Sequence, residues 1–155
     1  MFGQKFLKSL LVLLLALGLN ASLFAAEYGT AEEASAMVKK AAEFLKQNGK
    51  EKLLAEVSNA KGKFIDRDLY LSVYDFNGTV LAHGVNPKII GKSVIELNDV
   101  DGKFFMKDIV AQSKSAGKGH TEYKWPNPVT KEFQKKSAYF EAIDGVIISC
   151  GYYKH

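Results

Sequence analysis

The sequence predicts an α+β domain in which a long N-terminal helix covers one face of an antiparallel sheet. Three observations support this fold class. An amphipathic stretch over residues 30–46 has helical spacing, two strand-like segments flank an Asn-Gly turn at residues 77–78, and three more strand-like segments follow residue 119. The 155 residues show no internal repeat. Hydrophobic residues make up 47% and charged residues 25%, which is typical of one soluble globular domain.

The first 26 residues have the layout of a secretory signal peptide. Lys5 and Lys8 supply a positive start, residues 10–19 are apolar, and small residues lead up to residue 26. Cleavage there would leave residues 27–155 as a single domain and lower the net charge from +4 to +2, because two lysines and no acid are removed. The alternative is an uncleaved anchor, although the apolar run is shorter than the ~20 residues of a typical span. Both interpretations put the domain outside the cytoplasm, and we expect a periplasmic location.

Two helices are predicted before the strands begin. The first spans residues 30–46 and starts with a capping box formed by Thr30 and Glu33. Its apolar stripe recurs at intervals of three and four residues and consists of Ala34, Met37, Val38, Ala41 and Leu45. Asn48-Gly49 ends this helix, and a shorter helix follows over residues 50–58.

A hairpin opens the predicted sheet. Residues 69–74 alternate in polarity, Asn77-Gly78 supplies a tight turn, and residues 79–83 form the returning strand. In the first strand, Leu71 and Val73 share one face, and the opposite face carries Tyr70, Ser72 and Tyr74.

The second half of the chain predicts a small helix and three more strands. A long polar connection over residues 84–102 leads to a helix over residues 103–115, whose apolar positions are Phe104, Phe105, Ile109 and Val110. Strands are predicted over residues 120–125, 135–143 and 146–153, with Asp144-Gly145 as the tight turn between the last two.

The sequence contains no recognisable set of catalytic or metal-binding residues. Cys150 is the only cysteine and lies in an apolar run, which favours a buried, inert thiol. The three histidines lack metal-ligand spacing, and no nucleophile, phosphate-binding or dinucleotide motif is present. Asp99 and Asp101 are followed by Val110 where a calcium loop needs glutamate, so a turn is expected. We expect no enzyme activity, no metal, no cofactor and no nucleic-acid partner.

Aromatic and cationic side chains are the strongest candidates for a binding site. Alternation puts Tyr123 and Trp125 on one face of their strand and puts Lys136 and Tyr139 on opposite faces of the next strand. A pocket for a small anion needs aromatic walls and a few donors, which such side chains supply. From composition alone, simple packing of these aromatic residues between the sheet and the loops is the favoured alternative.

The turn of the predicted hairpin also carries a modification pattern. Asn77-Gly-Thr79 matches the Asn-x-Thr acceptor for glycosylation of exported proteins, and Asp75 resembles the acidic residue of the extended bacterial acceptor sequence. An ordinary Asn-Gly turn is the favoured alternative, and Asn77 is the candidate acceptor.

Residues 64–153 resemble a single Cache domain of the second type. The matching segments, taken in order, are Asp68-Leu-Tyr70, Tyr74-Asp75-x-x-Gly78, Leu81-Ala-His83-Gly84, Asn86-Pro87, Gly91-Lys92, Asp101-Gly102-Lys103-Phe104, Gly117-x-Gly119, Tyr123-x-Trp125-Pro-Asn-Pro128, Lys136-Ser-Ala-Tyr139 and Gly151-Tyr-Tyr153. Each segment is weak alone, but their order over most of the chain is specific. The resemblance implies a PAS-like antiparallel sheet with the long helix on one side and a ligand under the loops on the other.

The resemblance also implies a ligand and a set of binding residues. Several such domains bind short carboxylates such as acetate, pyruvate or lactate. The implied pocket would be lined by Tyr70, His83, Phe105, Tyr123, Trp125, Lys136 and Tyr139. In this interpretation Lys136 pairs with the carboxylate, and the hydrogen-bonding groups are Tyr123, Tyr139 and His83, while Trp125 and Phe105 wall the apolar end. Because alternation separates Lys136 from Tyr139, both could reach the pocket only through a bulge or a twist.

The expected function is therefore extracytoplasmic binding of a small organic acid. Members of the family usually form the sensing part of chemoreceptors and sensor kinases, and we expect this chain to act without an output module of its own. It would then pass its ligand, or a ligand-dependent surface, to a membrane receptor or a transporter. The alternative is a periplasmic protein-interaction module with a degenerate pocket. The oligomeric state stays open.

Overall fold

The computed structural model describes residues 27–155, so the predicted signal segment lies outside the described residues. The elements follow one another as α1 (Ala31–Asn48), α2 (Lys50–Val57), β1 (Ile65–Asp66), β2 (Leu69–Tyr74), β3 (Val80–His83), a short 3-10 helix (Pro87–Ile89), α3 (Phe105–Ala116), β4 (Lys118–Pro126), β5 (Phe133–Ile143) and β6 (Val146–Tyr153). This order confirms the predicted α+β fold class and adds the short strand β1.

The strands pair antiparallel in one six-stranded sheet. The order across the sheet is β1-β2-β6-β5-β4. Strand β3 also pairs with β2: it pairs with residues 72–74 of β2, whereas β1 pairs with residues 69–70. The β5–β6 ladder is continuous from the pair Lys136–Tyr153 to the pair Ile143–Val146. Because side chains alternate along an uninterrupted strand, this register fixes the face of the sheet that each residue of β5 occupies.

Helix α1 begins with the predicted capping box. The Thr30 hydroxyl accepts from the Glu33 backbone N–H at 3.2 Å, and the Glu33 carboxylate accepts from the Thr30 N–H at 2.9 Å. The helix ends at Gly49, whose φ of 87° suits glycine. Its apolar stripe packs on one face of the sheet in a buried cluster that includes Ala34, Val38, Ala41, Leu45, Leu71, Val73, Ile148 and Cys150. Cys150 is buried and free, as predicted.

The opposite face of the sheet is covered by α3 and by the connection between β3 and α3. This second buried cluster includes Tyr74, Val80, Val94, Phe105, Met106, Ile109, Tyr123, Ala138 and Phe140. Phe104, one of the apolar positions of the predicted helix, lies just before α3 with 40% of its surface exposed. Met106, which was not among those positions, is fully buried in this cluster.

Short turns and side-chain caps fix the loops. The Asp75 carboxylate accepts from the N–H groups of Asn77 and Thr79 at 2.9 and 2.8 Å, which closes the predicted hairpin turn. Asp99 behaves as a turn residue, as predicted. Its Oδ1 accepts from Lys103 N at 2.9 Å, and its Oδ2 accepts from Lys124 N at 2.8 Å. The long connection is therefore tied to β4 on the face of the sheet opposite α1.

Candidate ligand-binding site

A small cavity, here called the inner cavity, lies between the sheet and the β3–α3 connection. Six of the seven predicted site residues line it, namely Tyr70, His83, Phe105, Tyr123, Trp125 and Lys136. The other lining residues are Ser72, Tyr74, Val80, Ile89 and Val94. Ser72 and Tyr74 were not among the predicted site residues, although they share the Tyr70 face of β2 by alternation.

Lys136 is a buried cation that faces the inner cavity. Only 3% of its surface is exposed, and its Nζ lies 3.9 Å from the centre of the Tyr70 ring and 5.0 Å from that of Tyr153. Within residues 27–155, no carboxylate comes within the 4.0 Å that defines an ion pair with this Nζ. Burial lowers the pKa of Lys136 to about 7, against the weaker opposing effects of Cys150 and Asp68. An anion in the cavity would supply the missing partner.

Gly151 makes room for the Lys136 side chain. A Cβ atom at Gly151 would lie 2.4 Å from Lys136 Cε and 2.8 Å from its Cγ, which is too close for any side chain. The glycine is needed here for space. Sequence reasoning noted Gly151 only as part of the family resemblance, because strand contacts across a sheet are not visible in a linear pattern.

His83 presents a neutral imidazole to the cavity. Its Nδ1 accepts from the backbone N–H groups of Val85 and Asn86 at 3.3 and 3.0 Å. Burial, together with the nearby Lys136 charge, lowers the pKa of His83 to about 3. A neutral imidazole that accepts at Nδ1 carries its hydrogen on Nε2, so that nitrogen is a hydrogen-bond donor.

Tyr70 belongs to a hydrogen-bonded chain that leads away from the cavity. The Tyr153 hydroxyl donates to the Pro126 carbonyl at 2.8 Å and lies 3.3 Å from the Tyr70 hydroxyl. Because Tyr153 has given its hydrogen to Pro126, the Tyr70 hydroxyl donates to Tyr153. Tyr70 therefore serves as an aromatic wall beneath the Lys136 ammonium, and Tyr153 is a supporting residue that was not predicted.

Three more aromatic rings line the inner cavity. The Phe105 and Tyr123 rings stack with centroids 4.2 Å apart and planes 10° apart, and the Trp125 ring meets Phe105 edge-on at 5.3 Å. Burial raises the pKa of Tyr123 well above its ordinary value, so its hydroxyl stays protonated. That hydroxyl makes no hydrogen bond with another described residue, which leaves it available as a donor.

The inner cavity is small. Its volume of about 10 Å³ is room for roughly one water molecule. The site therefore combines one buried ammonium, two neutral donors and aromatic walls in a nearly dry space, and a carboxylate would have to move a wall to enter. In such a space a charge-assisted hydrogen bond is stronger than at the surface.

Tyr139 does not reach the inner cavity. Its ring lies on the α1 face of the sheet, next to His120 with centroids 4.9 Å apart, and its hydroxyl donates to Glu141. The reason is the unbroken β5–β6 register, which contains neither of the irregularities that would have brought Tyr139 to the face of Lys136. The alternation was correct, and the role taken from the resemblance does not match this position.

Asn77 lies at the exposed tip of the β2–β3 turn. Its neighbour Gly78 adopts a φ of 78°, and a Cβ at Gly78 would meet Ile95 at 2.9 Å. The Asn77 side chain is thus accessible, and Asn77 stays a predicted glycosylation site.

The geometry agrees with the family assignment. The sequence profile of the single Cache domain 2 family matches residues 22–155. The chain belongs to the single Cache domain 2 family.

Two curated proteins share sequence with this chain. One is the methyl-accepting chemotaxis protein McpP of Pseudomonas putida, at 29% identity over 90 residues, which are 57% of this chain and 16% of McpP. The other is the sensor histidine kinase MctS of Rhizobium johnstonii, at 30% identity over 78 residues, which are 50% of this chain and 17% of MctS. The matched segment is therefore a small part of each relative.

Solved structures of sensor domains share the fold. A methyl-accepting chemotaxis protein from Vibrio parahaemolyticus superposes with a TM-score of 0.69 at 19% identity, covering 79% of this chain and 86% of that chain. A Cache chemosensory domain solved to explain carboxylic acid recognition also gives a TM-score of 0.69, at 24% identity, covering 87% of this chain and 98% of that one. These similarities support the PAS-like sheet and the long helix.

Two features of the described residues bear on other functions. None of the helices within residues 27–155 has the length and apolar character needed to cross a membrane. In the same part of the chain, no three His, Cys, Asp or Glu side chains are grouped so that they could hold a metal ion.

Proposed function

We propose that this chain is a periplasmic sensor domain that binds a small organic acid in the inner cavity. The observation that carries the proposal is the buried Lys136 ammonium, which faces the cavity without an ion-pair partner among the described residues. An isolated buried charge is costly, so a protein that keeps one gains from an anion that arrives with its own negative charge.

The other polar groups of the cavity suit a carboxylate. His83 offers Nε2–H and Tyr123 offers its hydroxyl, so the lining of the cavity holds two neutral donors in addition to the Lys136 ammonium. No Asp or Glu lines the cavity. A cationic ligand would meet the Lys136 charge without compensation, which favours acids over amines. Acetate, pyruvate and lactate are the first ligands to test.

Binding rather than catalysis is the role we infer. His83 cannot act as a general base for a nucleophile in the cavity, because its Nδ1 already accepts from two backbone N–H groups and its Nε2 carries the hydrogen. The cavity therefore lacks a serine, cysteine or lysine nucleophile held by a general base. Membership in a family of sensor domains supports the same conclusion. We further propose that a membrane receptor or a transporter detects the liganded surface.

The test is a thermal-shift panel of short acids and matched amines. A ligand at 100 times its Kd should stabilise the domain by roughly 2.7 kcal/mol, or about 5–10 °C in Tm for a chain of this size. The variant Lys136→Met should abolish the shift. Lys135→Met is the matched control, since Lys135 is exposed and pairs with Glu122 at 2.9 Å. Equal shifts in both variants would contradict the proposal.

The small inner cavity favours one other function. A pocket closed to about 10 Å³ could belong to a protein-interaction module that no longer binds ligand. That function predicts no shift with any acid and stable capture of an envelope protein by the unliganded domain. A shift with an acid that depends on Lys136 would exclude it.

A further inference from the structure

A larger open cleft, here called the outer cleft, lies beside the inner cavity. Its volume is about 550 Å³, and its walls come from the segment after α2, the loop after β3 and the loop between β4 and β5. Its lining is mainly apolar and includes Ala60, Ile65, Val85, Pro87, Pro126 and Pro128.

Three side chains separate the outer cleft from the inner cavity. Tyr70, His83 and Trp125 line both spaces, so they form the wall between them. Tyr70 and His83 are held by hydrogen bonds. Trp125 is half-buried and has no hydrogen bond to another described residue, and its ring makes only edge contacts with Phe105 and Tyr123. Trp125 is therefore the part of the wall that can move at the lowest cost.

Moving Trp125 would join the two spaces. A carboxylate that pairs with Lys136 needs more room than one water molecule occupies, so a wall has to move when it binds. The space opened in this way continues into a mainly apolar cleft. Among the described residues its lining holds no acidic side chain, and the ammonium of its one lysine, Lys131, donates to the Pro128 carbonyl. An acid with an apolar chain could then bury its charge at one end and its hydrocarbon at the other.

We propose that the outer cleft holds the apolar chain of the ligand while its carboxylate pairs with Lys136. The ligand class is then monocarboxylic acids with four or more carbons, and two-carbon acids bind more weakly. This inference rests on the proposed function, because it takes Lys136 as the carboxylate partner.

Calorimetric titration of the full chain with acetate, butanoate and hexanoate tests the proposal. Each methylene that enters the cleft should lower Kd by about fourfold, equivalent to about 0.8 kcal/mol. Hexanoate should therefore bind roughly 200-fold more tightly than acetate. A Kd that stays level or rises along the series overturns the inference while leaving the proposed function intact. If no acid binds, the proposed function fails as well.

A cleft-filling variant and two further ligands make the test specific. Ala60→Trp should weaken hexanoate binding by more than tenfold and leave acetate unchanged. Ala36→Trp is the matched control, since Ala36 is exposed on α1, which packs on the opposite face of the sheet. Equal effects of Ala60→Trp on both acids contradict the inference. Hexylamine binding as tightly as hexanoate would refute the placement of the carboxylate, and tighter binding of adipate would refute an apolar chain in the cleft.

Discussion

Replacing Lys136 by Met should make the domain more stable and unable to bind its acid. Methionine replaces the lysine side chain as far as Cε and omits the ammonium, so the packing of Cγ, Cδ and Cε beside Gly151 is preserved. A lysine needed only for structure would lower the stability when it is replaced. Higher stability together with loss of acid binding would therefore show that Lys136 serves binding and not folding.

The magnitude follows from two opposing contributions. The pKa of Lys136 is lowered from an ordinary value of about 10.4 to about 7 by burial. That difference corresponds to a free energy of unfolding lower by up to about 5 kcal/mol below pH 7. The cation–π contacts of the ammonium with the Tyr70 and Tyr153 rings stabilise the folded state by about 1–2 kcal/mol and offset part of this cost. The desolvation cost is larger, so Lys136→Met should raise the free energy of unfolding by about 1–4 kcal/mol at pH 6, the range seen when buried charges are replaced by apolar residues.

The pH dependence of the unfolding free energy is a second, independent test of whether Lys136→Met stabilises the domain. Between pH 7 and about 10.4 the unfolded chain holds a proton on this amine that the folded chain has lost. The stability of the wild-type protein relative to Lys136→Met should therefore rise with pH above 7, and the gain from the substitution should be largest at pH 6. Urea unfolding at pH 6 and pH 9 measures both values, with Lys135→Met as the control. A variant that is less stable than the wild type at pH 6, or that still binds the acid, would refute this explanation.

Three further predictions test the surroundings of Lys136. Ligand affinity should fall above pH 7, because a carboxylate pairs with the protonated amine; calorimetry at pH 8 in buffers of different ionisation enthalpy should detect proton uptake, and its absence would count against the pairing. Gly151→Ala should displace the lysine and weaken acid binding at least tenfold, while unchanged affinity would show that the lysine adapts. Tyr123→Phe should weaken binding by roughly 5- to 10-fold through loss of one hydrogen bond, whereas Tyr139→Phe should have no effect in the same titration, since Tyr139 lies on the α1 face.

The faces of the strands could be predicted because alternation is local. In β2 it separated Leu71 and Val73 from Tyr70, and in β5 it separated Lys136 from Tyr139. The structure confirms both separations. Tyr139 was added to the predicted pocket from the family resemblance against this pattern, and the unbroken strand register keeps it on the other face.

The supporting contacts could not be predicted because they join segments far apart in the chain. Gly151 clears space for Lys136 across the sheet, and Tyr153 binds the Tyr70 hydroxyl from a strand 83 residues away. In the turn after β3, the Val85 backbone N–H donates to Nδ1 of His83, so the hydrogen of the neutral imidazole lies on Nε2. Trp125 lines both the inner cavity and the outer cleft, and a sequence pattern does not specify the rotamer that puts it there.

A crystal structure of the domain grown with the acid that binds most tightly would show which groups hold the carboxylate. We expect a carboxylate oxygen about 2.7–2.9 Å from Lys136 Nζ, with the hydrocarbon chain past Trp125 in the outer cleft. An acid bound anywhere else on the domain, with the Lys136 ammonium still lacking an anionic partner, would rule out Lys136 as the carboxylate-binding residue.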